Sequence, residues 1–219
     1  MKVPAMTVLK HLLLAPLLFA AGSLLAAGNE DLVRPIQSQW AEIKYRQPEK
    51  QQAELYRALA QQAHKVSESH PNAAEALIWE AIVVSSEAGA RGGLGALSLA
   101  KESKRLLEES LKLDEKALSG SAYTSLATLY AKVPFWPIGF GDKKLAEELF
   151  RKSLAVNPQG IDPNFLYGEY LADQNRPAEA RAFLEAALKA PPRPGRELAD
   201  SGRRQEVQAL LNRIAKDAR

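Results

Sequence analysis

The residues that most often carry chemistry, cysteine and histidine, are scarce in this chain. There is no cysteine, and the three histidines are His11, His64 and His70. His64 and His70 are six positions apart, so they would not share a helix face, as paired metal ligands do at spacings of three or four. We therefore expect no metal site and no disulfide, and we expect His64 and His70 to face solvent.

Two further patterns invite a catalytic interpretation and do not support one. The run "RGGLG" (Arg91 to Gly95) follows a predicted helix instead of a strand, and it lacks the Gly-Lys-Ser/Thr ending of a phosphate-binding loop. The many carboxylates alternate with lysine and arginine, as they do on solvated helix faces. The sequence predicts that the protein is not an enzyme and needs no cofactor.

The strongest site candidate is the run "VPFWPIGFGD", residues 133–142, which interrupts helical sequence with prolines, glycines and aromatic residues. Its aromatic residues are Phe135, Trp136 and Phe140. They could fold back and plug one end of a helical hairpin, because buried aromatics stabilise a loop while exposed ones promote aggregation. Alternatively, some of them contact a partner or ligand, since loops held by a rigid scaffold commonly carry function. Both alternatives can hold for different residues of the loop.

The N-terminus has the three parts of a secretory signal peptide. A basic start is followed by the apolar run Leu12 to Ala21 and by small residues up to Gly28. We expect residues 1–27 to be removed, with cleavage after Ala27 or Gly28, and the protein to be exported to the bacterial periplasm. The run is shorter than the roughly 20 apolar residues of a membrane-spanning helix, and Pro16 interrupts it. We therefore expect no stable membrane span after cleavage.

The charge of the mature chain argues against nucleic-acid binding. Residues 1–27 hold two lysines and no acid, so the net charge of +3 falls to +1, from 27 basic and 26 acidic residues. Nucleic-acid binding needs a concentrated basic footprint, which a nearly neutral chain does not provide. Residues 28–219 are long enough to form one domain with its own core.

The elements that would position these residues are helices throughout, so the predicted fold class is all-α. Strong helix formers dominate, and no segment alternates with the period of two that is typical of strands. Proline and glycine mark the breaks between helices. The predicted helices cover approximately residues 31–45, 49–69, 72–88, 96–116, 120–132, 142–156, 163–173, 177–190 and 202–217.

Internal repeats are present, and they resemble the tetratricopeptide repeat (TPR). In the last unit a large residue stands beside Gly168, Leu171 follows, and Ala180, Leu184 and Ala187 recur at the offsets of that motif. Small residues let two helices approach closely, and large ones fill the groove between them. The resemblance implies an α-solenoid of helical hairpins, closed by a capping helix over 202–217 with Asp200 or Ser201 as its N-cap. The repeat units cover about 49–71, 74–116, 120–158 and 161–192.

The repeat spacing explains the aromatic run as an insertion. The first-helix residue Leu171 lies nine positions before Ala180, whereas Tyr130 lies sixteen positions before Ala146, an excess of seven. The turn inside the preceding unit, which contains "GARGGLG" (residues 89–95), is also enlarged. We therefore expect two enlarged loops within the repeats, on one edge of the solenoid.

The resemblance also implies a binding groove, because the first helices of TPR units line a concave face that commonly holds peptides. This face lacks the lysine and arginine cluster that would clamp an acidic C-terminal tail. The four arginines that follow it are expected to pair with Glu197 and Asp200 instead of binding an anion; they are Arg193, Arg196, Arg203 and Arg204. The residues expected to face the groove are Thr124, Thr128, Lys132, Phe165, Glu169 and Asp173.

Two functions agree with these observations. The first is a non-enzymatic protein–protein interaction module, acting as a scaffold or accessory subunit in the envelope and binding a protein or peptide partner. The second follows from "GFGDKKLAEELFRKSL" (Gly139 to Leu154) in an exported repeat protein, which looks like the periplasmic TPR subunit of TRAP-type transporters. That resemblance implies a solute- or ligand-binding accessory with a small-molecule ligand or transporter subunits as partners. Members of that group are often lipoproteins, and this chain lacks the necessary cysteine.

Overall fold

The chain is all-helical in the computed structural model, which describes residues 20–217. Residues 1–19 of the predicted signal peptide lie outside the described residues. No helix in the described part is long and apolar enough to cross a membrane. In chain order the helices are α1 (Ala20–Arg46), α2 (Glu49–Ser69), α3 (Ala74–Arg91), α4 (Gly93–Leu113), α5 (Ala117–Lys132), α6 (Lys143–Val156), α7 (Ile161–Asp173), α8 (Pro177–Leu188) and α9 (Glu197–Asp217).

Local signals explain most of these boundaries. The Asp142 carboxylate accepts a hydrogen bond from the backbone N–H of Leu145 at 3.0 Å and so caps the start of α6. Pro177 occupies the first position of α8, where a missing N–H leaves no hydrogen bond unmade. The all-α prediction is confirmed, and the predicted α2 agrees with the structure at both ends.

The expected glycine-rich loop between α3 and α4 is wrong. Helix α3 continues to Arg91 and α4 begins at Gly93, so one residue separates them. Gly92 has a positive φ of 61°, which favours glycine, and its N–H bonds to the Ala88 carbonyl at 3.0 Å. The extra residues therefore lengthen the two helices instead of enlarging the loop, because two consecutive glycines with positive φ, Gly92 and Gly93, are enough to reverse the chain.

The expected starts of the first and last helices are also wrong. Helix α1 begins by Ala20 instead of residue 31 and continues through Pro35. Helix α9 begins at Glu197, so Asp200 lies inside it and is not its N-cap. The Asp200 carboxylate instead accepts a hydrogen bond from the Arg193 backbone N–H at 2.9 Å. Asp200 therefore lies in the first turn of α9 and bonds to the segment before the helix. Negative charge is favourable in the first turn of a helix.

The core lies on both sides of α3. One face of this helix, including Leu77 and Ile78, packs into a large apolar cluster that reaches α9. The other face, including Trp79 and Val83, packs into a second cluster built mainly by α1 and α2. Twelve of the 18 residues of α3 are buried, so this helix joins the two clusters into one body.

The odd-numbered helices contact one another in series. Helices α1, α3, α5, α7 and α9 each touch the next of that set, and α9 also touches α1. The approach of α9 to α1 is close, because a Cβ added at Gly202 would lie 2.3 Å from a ring carbon of Tyr45. Helices α3 and α4, α5 and α6, and α7 and α8 pack as neighbouring pairs. The loop between α5 and α6 lies next to α4.

Candidate functional site

The loop from Val133 to Asp142 is held in one conformation by its own backbone. The N–H of Gly141 donates to the Pro134 carbonyl at 2.9 Å, and the N–H of Asp142 donates to the Tyr130 carbonyl at 3.0 Å. A Cβ at Gly141 would lie 2.0 Å from the Val133 carbonyl oxygen, so only glycine allows the two sides of the loop to approach this closely. The aromatic run is therefore an ordered element.

The loop divides its large apolar residues between packing and exposure. Phe140 is half-buried and lies edge-on to Tyr130, with ring centroids 5.5 Å apart. In contrast, the exposed fractions are 56% for Phe135, 85% for Trp136 and 70% for Ile138. Because Phe140 packs against the fold and the other three face solvent, both alternatives for this loop describe part of it. We call Phe135, Trp136 and Ile138 the apolar tip.

One lysine contacts the apolar tip, and two more are exposed on the helices beside the loop. The Lys143 ammonium lies 5.7 Å from the centre of the Phe135 ring, within the range of a cation–π contact. Lys144 and, on α4, Lys101 are exposed. Among the described residues none of these three lysines makes an ion pair, whereas Asp142 is engaged as the cap of α6. The tip is therefore an exposed apolar surface with an excess of positive charge at its border.

A second candidate surface lies where α1, α7 and α9 meet. A cleft of about 440 Å³ opens there, and we call it the charged cleft. At one side the Glu206 carboxylate pairs with Lys44 at 3.2 Å and with Arg203 at 2.7 Å. The residues that contribute to its wall include Lys44, Phe165, Leu166, Glu169, Arg203 and Arg213.

Lys132 connects α5 to the border of this cleft. Its ammonium pairs with Asp173 at 2.7 Å and with Glu169 at 3.2 Å, both on α7. Burial alone would lower the pKa of Lys132, but the hydrogen bond to Asp173 and the charge of Glu169 raise it. The lysine therefore stays charged at neutral pH and serves as a fixed cation. Arg213 is the least engaged cation here, at 4.0 Å from Asp173 with 60% of its side chain exposed.

The predicted groove residues fall into two groups. Lys132, Glu169 and Asp173 come together as an ion-paired group, and Phe165 lies in the cleft wall, where the Arg203 guanidinium covers its ring at 4.6 Å. Thr124 is buried beneath this surface, with its hydroxyl bonded to Ser153. Thr128 is half-buried and donates its hydroxyl to the Thr124 carbonyl at 2.9 Å. The two threonines therefore stabilise packing and present no free polar group.

The arginine cluster behaves as a structural junction. Asp162 at the start of α7 accepts hydrogen bonds from Arg193 at 2.7 Å and from Arg203 at 2.8 Å. Burial would raise the pKa of Asp162, but the two guanidinium groups hold that pKa well below its usual range. The expected pairing of Arg193 with Asp200 is also present, at 2.6 Å. Arg196, by contrast, lies over the Trp79 ring at 5.0 Å.

Sequence reasoning missed three contributors to the charged cleft: Lys44 on α1, and Arg203 and Arg213 on α9. Lys44 and Arg213 are separated from their partners by long stretches of chain, so no local spacing reveals them. Arg203 pairs locally with Glu206, but its contact with Asp162 is also distant in sequence. The one sequence signal for these contacts is the basic cluster around the start of the last helix, which is equally compatible with pairing to nearby acids.

Neither surface carries a recognisable catalytic arrangement within residues 20–217. No group of three side chains of the metal-ligating type is found in this part of the chain. His64 is the nearest approach to a tuned group: its Nδ1 lies 2.8 Å from the buried Glu80 carboxylate, and this hydrogen bond raises the pKa of His64. The same carboxylate accepts a hydrogen bond from Ser67. The His64 side chain is 57% exposed, as expected, and the pair lies on α2 and α3, away from both surfaces.

Comparison with known proteins adds no assignment. No protein-family model matches the chain, and no curated protein matches it.

Proposed function

We propose that this protein is an exported, non-enzymatic, TPR-like protein–protein interaction module, which serves as a scaffold or accessory subunit of a complex in the bacterial envelope. The repeat spacing from Gly168 to Ala187, the paired helices and the serial contacts of the odd-numbered helices support the TPR-like part of this proposal. The apolar N-terminal run supports export.

The observation that carries the proposal is the composition of the charged cleft. Its cations and anions come from four helices, and each is partly exposed and paired with a neighbour inside the protein. A partner polypeptide carries both acidic and basic side chains. These can take the place of the intramolecular partners in each ion pair, so no charge in the cleft is left uncompensated on binding. A proton-transfer site would instead need a group whose pKa lies near neutrality, and Lys132 is held away from it.

The apolar floor of the cleft supplies the second requirement for binding. Leu166 contributes partly exposed apolar surface between the charged groups, and the buried side chains of Phe165 and Leu210 lie beneath it. Interfaces of this kind combine a desolvated apolar centre with a polar border, and the border fixes the register of the partner. We therefore assign the partner peptide or protein segment to this cleft, across Lys132 and Arg213.

The test is affinity capture from envelope extracts with matched charge reversals. The protein carrying both Lys132→Glu and Arg213→Glu is compared with the parent and with Lys189→Glu, which reverses an exposed charge on the far end of α8. The expected result is that the parent and the Lys189 variant recover partners that the cleft variant does not recover. All three proteins should show a cooperative thermal unfolding transition, which shows that each is folded. Recovery of the same partners by all three would exclude the cleft as the binding surface.

The volume of the cleft supports the alternative function, a periplasmic ligand-binding accessory of a TRAP-type transporter. About 440 Å³ lies within the usual size of small-molecule sites. Mass spectrometry of the native protein, before and after denaturing extraction, would find a bound small molecule in this case. If the protein carries no small molecule and still binds its protein partner, the result favours the protein–protein interaction module.

A further inference from the structure

The apolar tip is the feature of the fold that the charged cleft does not explain. Of the large apolar side chains that the structure shows as exposed, only Leu113 lies outside this loop. Taking about 200 Å² for a large side chain, the exposed parts of Phe135, Trp136 and Ile138 sum to roughly 400 Å². This is the size of the largest apolar patch on a typical monomeric protein, and such patches are often functional.

We propose that the apolar tip inserts into the interface of an anionic lipid bilayer, with Lys101, Lys143 and Lys144 against the lipid phosphates. The residue types fit this occupant. Tryptophan and phenylalanine favour the boundary between head groups and acyl chains, and an aliphatic residue beside them adds buried area. The proposal goes beyond the interaction module proposed above because it uses a different surface, so either can fail alone.

The charges around the tip complement an anionic surface. The three lysines make no ion pair among the described residues, while the carboxylate of Asp142, which directly precedes Lys143, is held by the α6 N-terminus. Each basic residue close to an anionic membrane adds to its attraction, and each is screened by salt. Lysines that make no intramolecular ion pair remain available to attract lipid phosphates.

The size and shape of the tip favour a bilayer over a protein partner. A stable protein interface covers about 800 Å² on each side and needs a matching pocket. The tip supplies about half of that area, and it is a turn that projects its side chains outward. A bilayer needs no matching pocket, and the tip is already ordered by the hydrogen bonds of Gly141 and Asp142. Little conformational entropy is therefore lost when it inserts.

The chain contains its own probe for this proposal. Of its three tryptophans, Trp40 and Trp79 are buried, at 9% and 5% exposure, whereas Trp136 is 85% exposed. The fluorescence emission of solvent-exposed tryptophan therefore comes from Trp136. All proteins in the test differ from the parent only at the named substitution and share the same N-terminus. Any contribution of the apolar N-terminal run is then common to every variant.

The experiment adds vesicles of phosphatidylcholine, with and without phosphatidylglycerol, to the parent and to Trp136→Ala. We expect a blue shift of the parent emission with phosphatidylglycerol vesicles, quenching by lipids brominated near the head group, and neither effect in Trp136→Ala. The partition coefficient measured by vesicle sedimentation should fall roughly tenfold in Trp136→Ala, because a large apolar side chain no longer leaves water. Leu113→Ala, at 42% exposure elsewhere on the surface, should partition as the parent does.

The lysines are tested separately. Lys143→Ser with Lys144→Ser should weaken binding to phosphatidylglycerol vesicles by roughly tenfold and have little effect on phosphatidylcholine vesicles, while Lys189→Ser should change neither. An unchanged Trp136 emission with both kinds of vesicle would overturn the proposal. So would equal partitioning of the parent and Trp136→Ala. Protection of Trp136 by an envelope protein, with no effect of vesicles, would assign the tip to a protein contact and would also overturn it.

Discussion

Replacing Gly168 by leucine tests the packing of α7 on α8 directly. A Cβ added at this position would lie 2.9 Å from Leu184 Cγ, 3.0 Å from Leu184 Cδ2 and 3.3 Å from the Ala180 carbonyl oxygen. Carbon atoms pack favourably at about 3.5–4.0 Å, so even the first added atom is too close. Leu184 is completely buried and has no space into which to move.

The expected loss of stability follows from these contacts. Extra methylene groups in a packed core commonly cost about 1–3 kcal/mol, and Gly168→Leu adds four carbons where the first already clashes. Leucine regains up to about 1 kcal/mol through its better helix propensity. Because four carbons are added at once, we expect a gross cost above the usual range, roughly 4 kcal/mol, and a net loss of roughly 3 kcal/mol. In a protein of this size that loss lowers the melting temperature by roughly 6–12 °C.

The matched control is Gly89→Leu, which makes the same change in α3. A Cβ at Gly89 would have no atom within 4 Å, and the position is exposed. Only the gain in helix propensity remains, so this variant should melt at or slightly above the temperature of the parent. The assay is thermal unfolding followed by far-ultraviolet circular dichroism. If Gly168→Leu melts with the parent, the assigned contact between α7 and α8, and with it the repeat register, is wrong.

Three further predictions follow from the loop, the arginine junction and the N-terminus. Phe140→Ala should destabilise the protein by about 1–2 kcal/mol, because Phe140 packs against the fold. Trp136→Ala should change the stability by less than about 0.5 kcal/mol, because Trp136 is exposed. Chemical denaturation of both variants measures these changes, and equal losses would contradict the division of the loop. Asp162→Asn should cost roughly 2–3 kcal/mol at neutral pH, because it weakens two charge-assisted hydrogen bonds. Since the folded-state pKa of Asp162 is depressed, its contribution is present above the ordinary carboxyl pKa of about 4 and is lost as the pH falls toward the folded value; a parent and a variant with parallel acid-unfolding curves would argue against this role. N-terminal sequencing should place the start of the mature protein near Asn29, and retention of residues 1–27 on a membrane-bound product would show that export with cleavage is wrong.

The parts of the fold that depend on local sequence were predictable. Pro177 and Asp142 gave helix starts, because a proline and a capping carboxylate act on their own turn. The connection between α3 and α4 was not predictable in the same way. Several glycines there allow either a loop or a sharp reversal at Gly92, and the packing of the two helices on each other decides between them.

The candidate surfaces divide along the same line. The meeting of Lys132 with Glu169 and Asp173 is compatible with the predicted repeat spacing, which would place α5 beside α7. The part of the cleft built by Lys44 and Arg203 depends on how the first and last helices meet, and no spacing encodes that. The loop composition identified Phe135, Trp136 and Phe140 together. Which of them is exposed depends on the side to which the backbone folds, and the contacts of Gly139 with Val133 and Leu97 fix that side.

The contact between α1 and α9 has a consequence for how the chain is made and transported. Tyr45 donates its hydroxyl to Glu206 at 3.2 Å across 161 positions of sequence, so the two ends of the described chain stabilise each other. A ribosome or a translocation channel releases α9 after the other described helices, and α1 cannot complete its packing before then. Contacts of such long range slow folding and leave apolar surface exposed in the meantime. For a protein exported as an unfolded chain, as we propose, this delay keeps the polypeptide competent for transport. The cost is a period after release in which the apolar face of α1 needs protection from aggregation, and folding chaperones of the destination compartment are the class of protein suited to provide it.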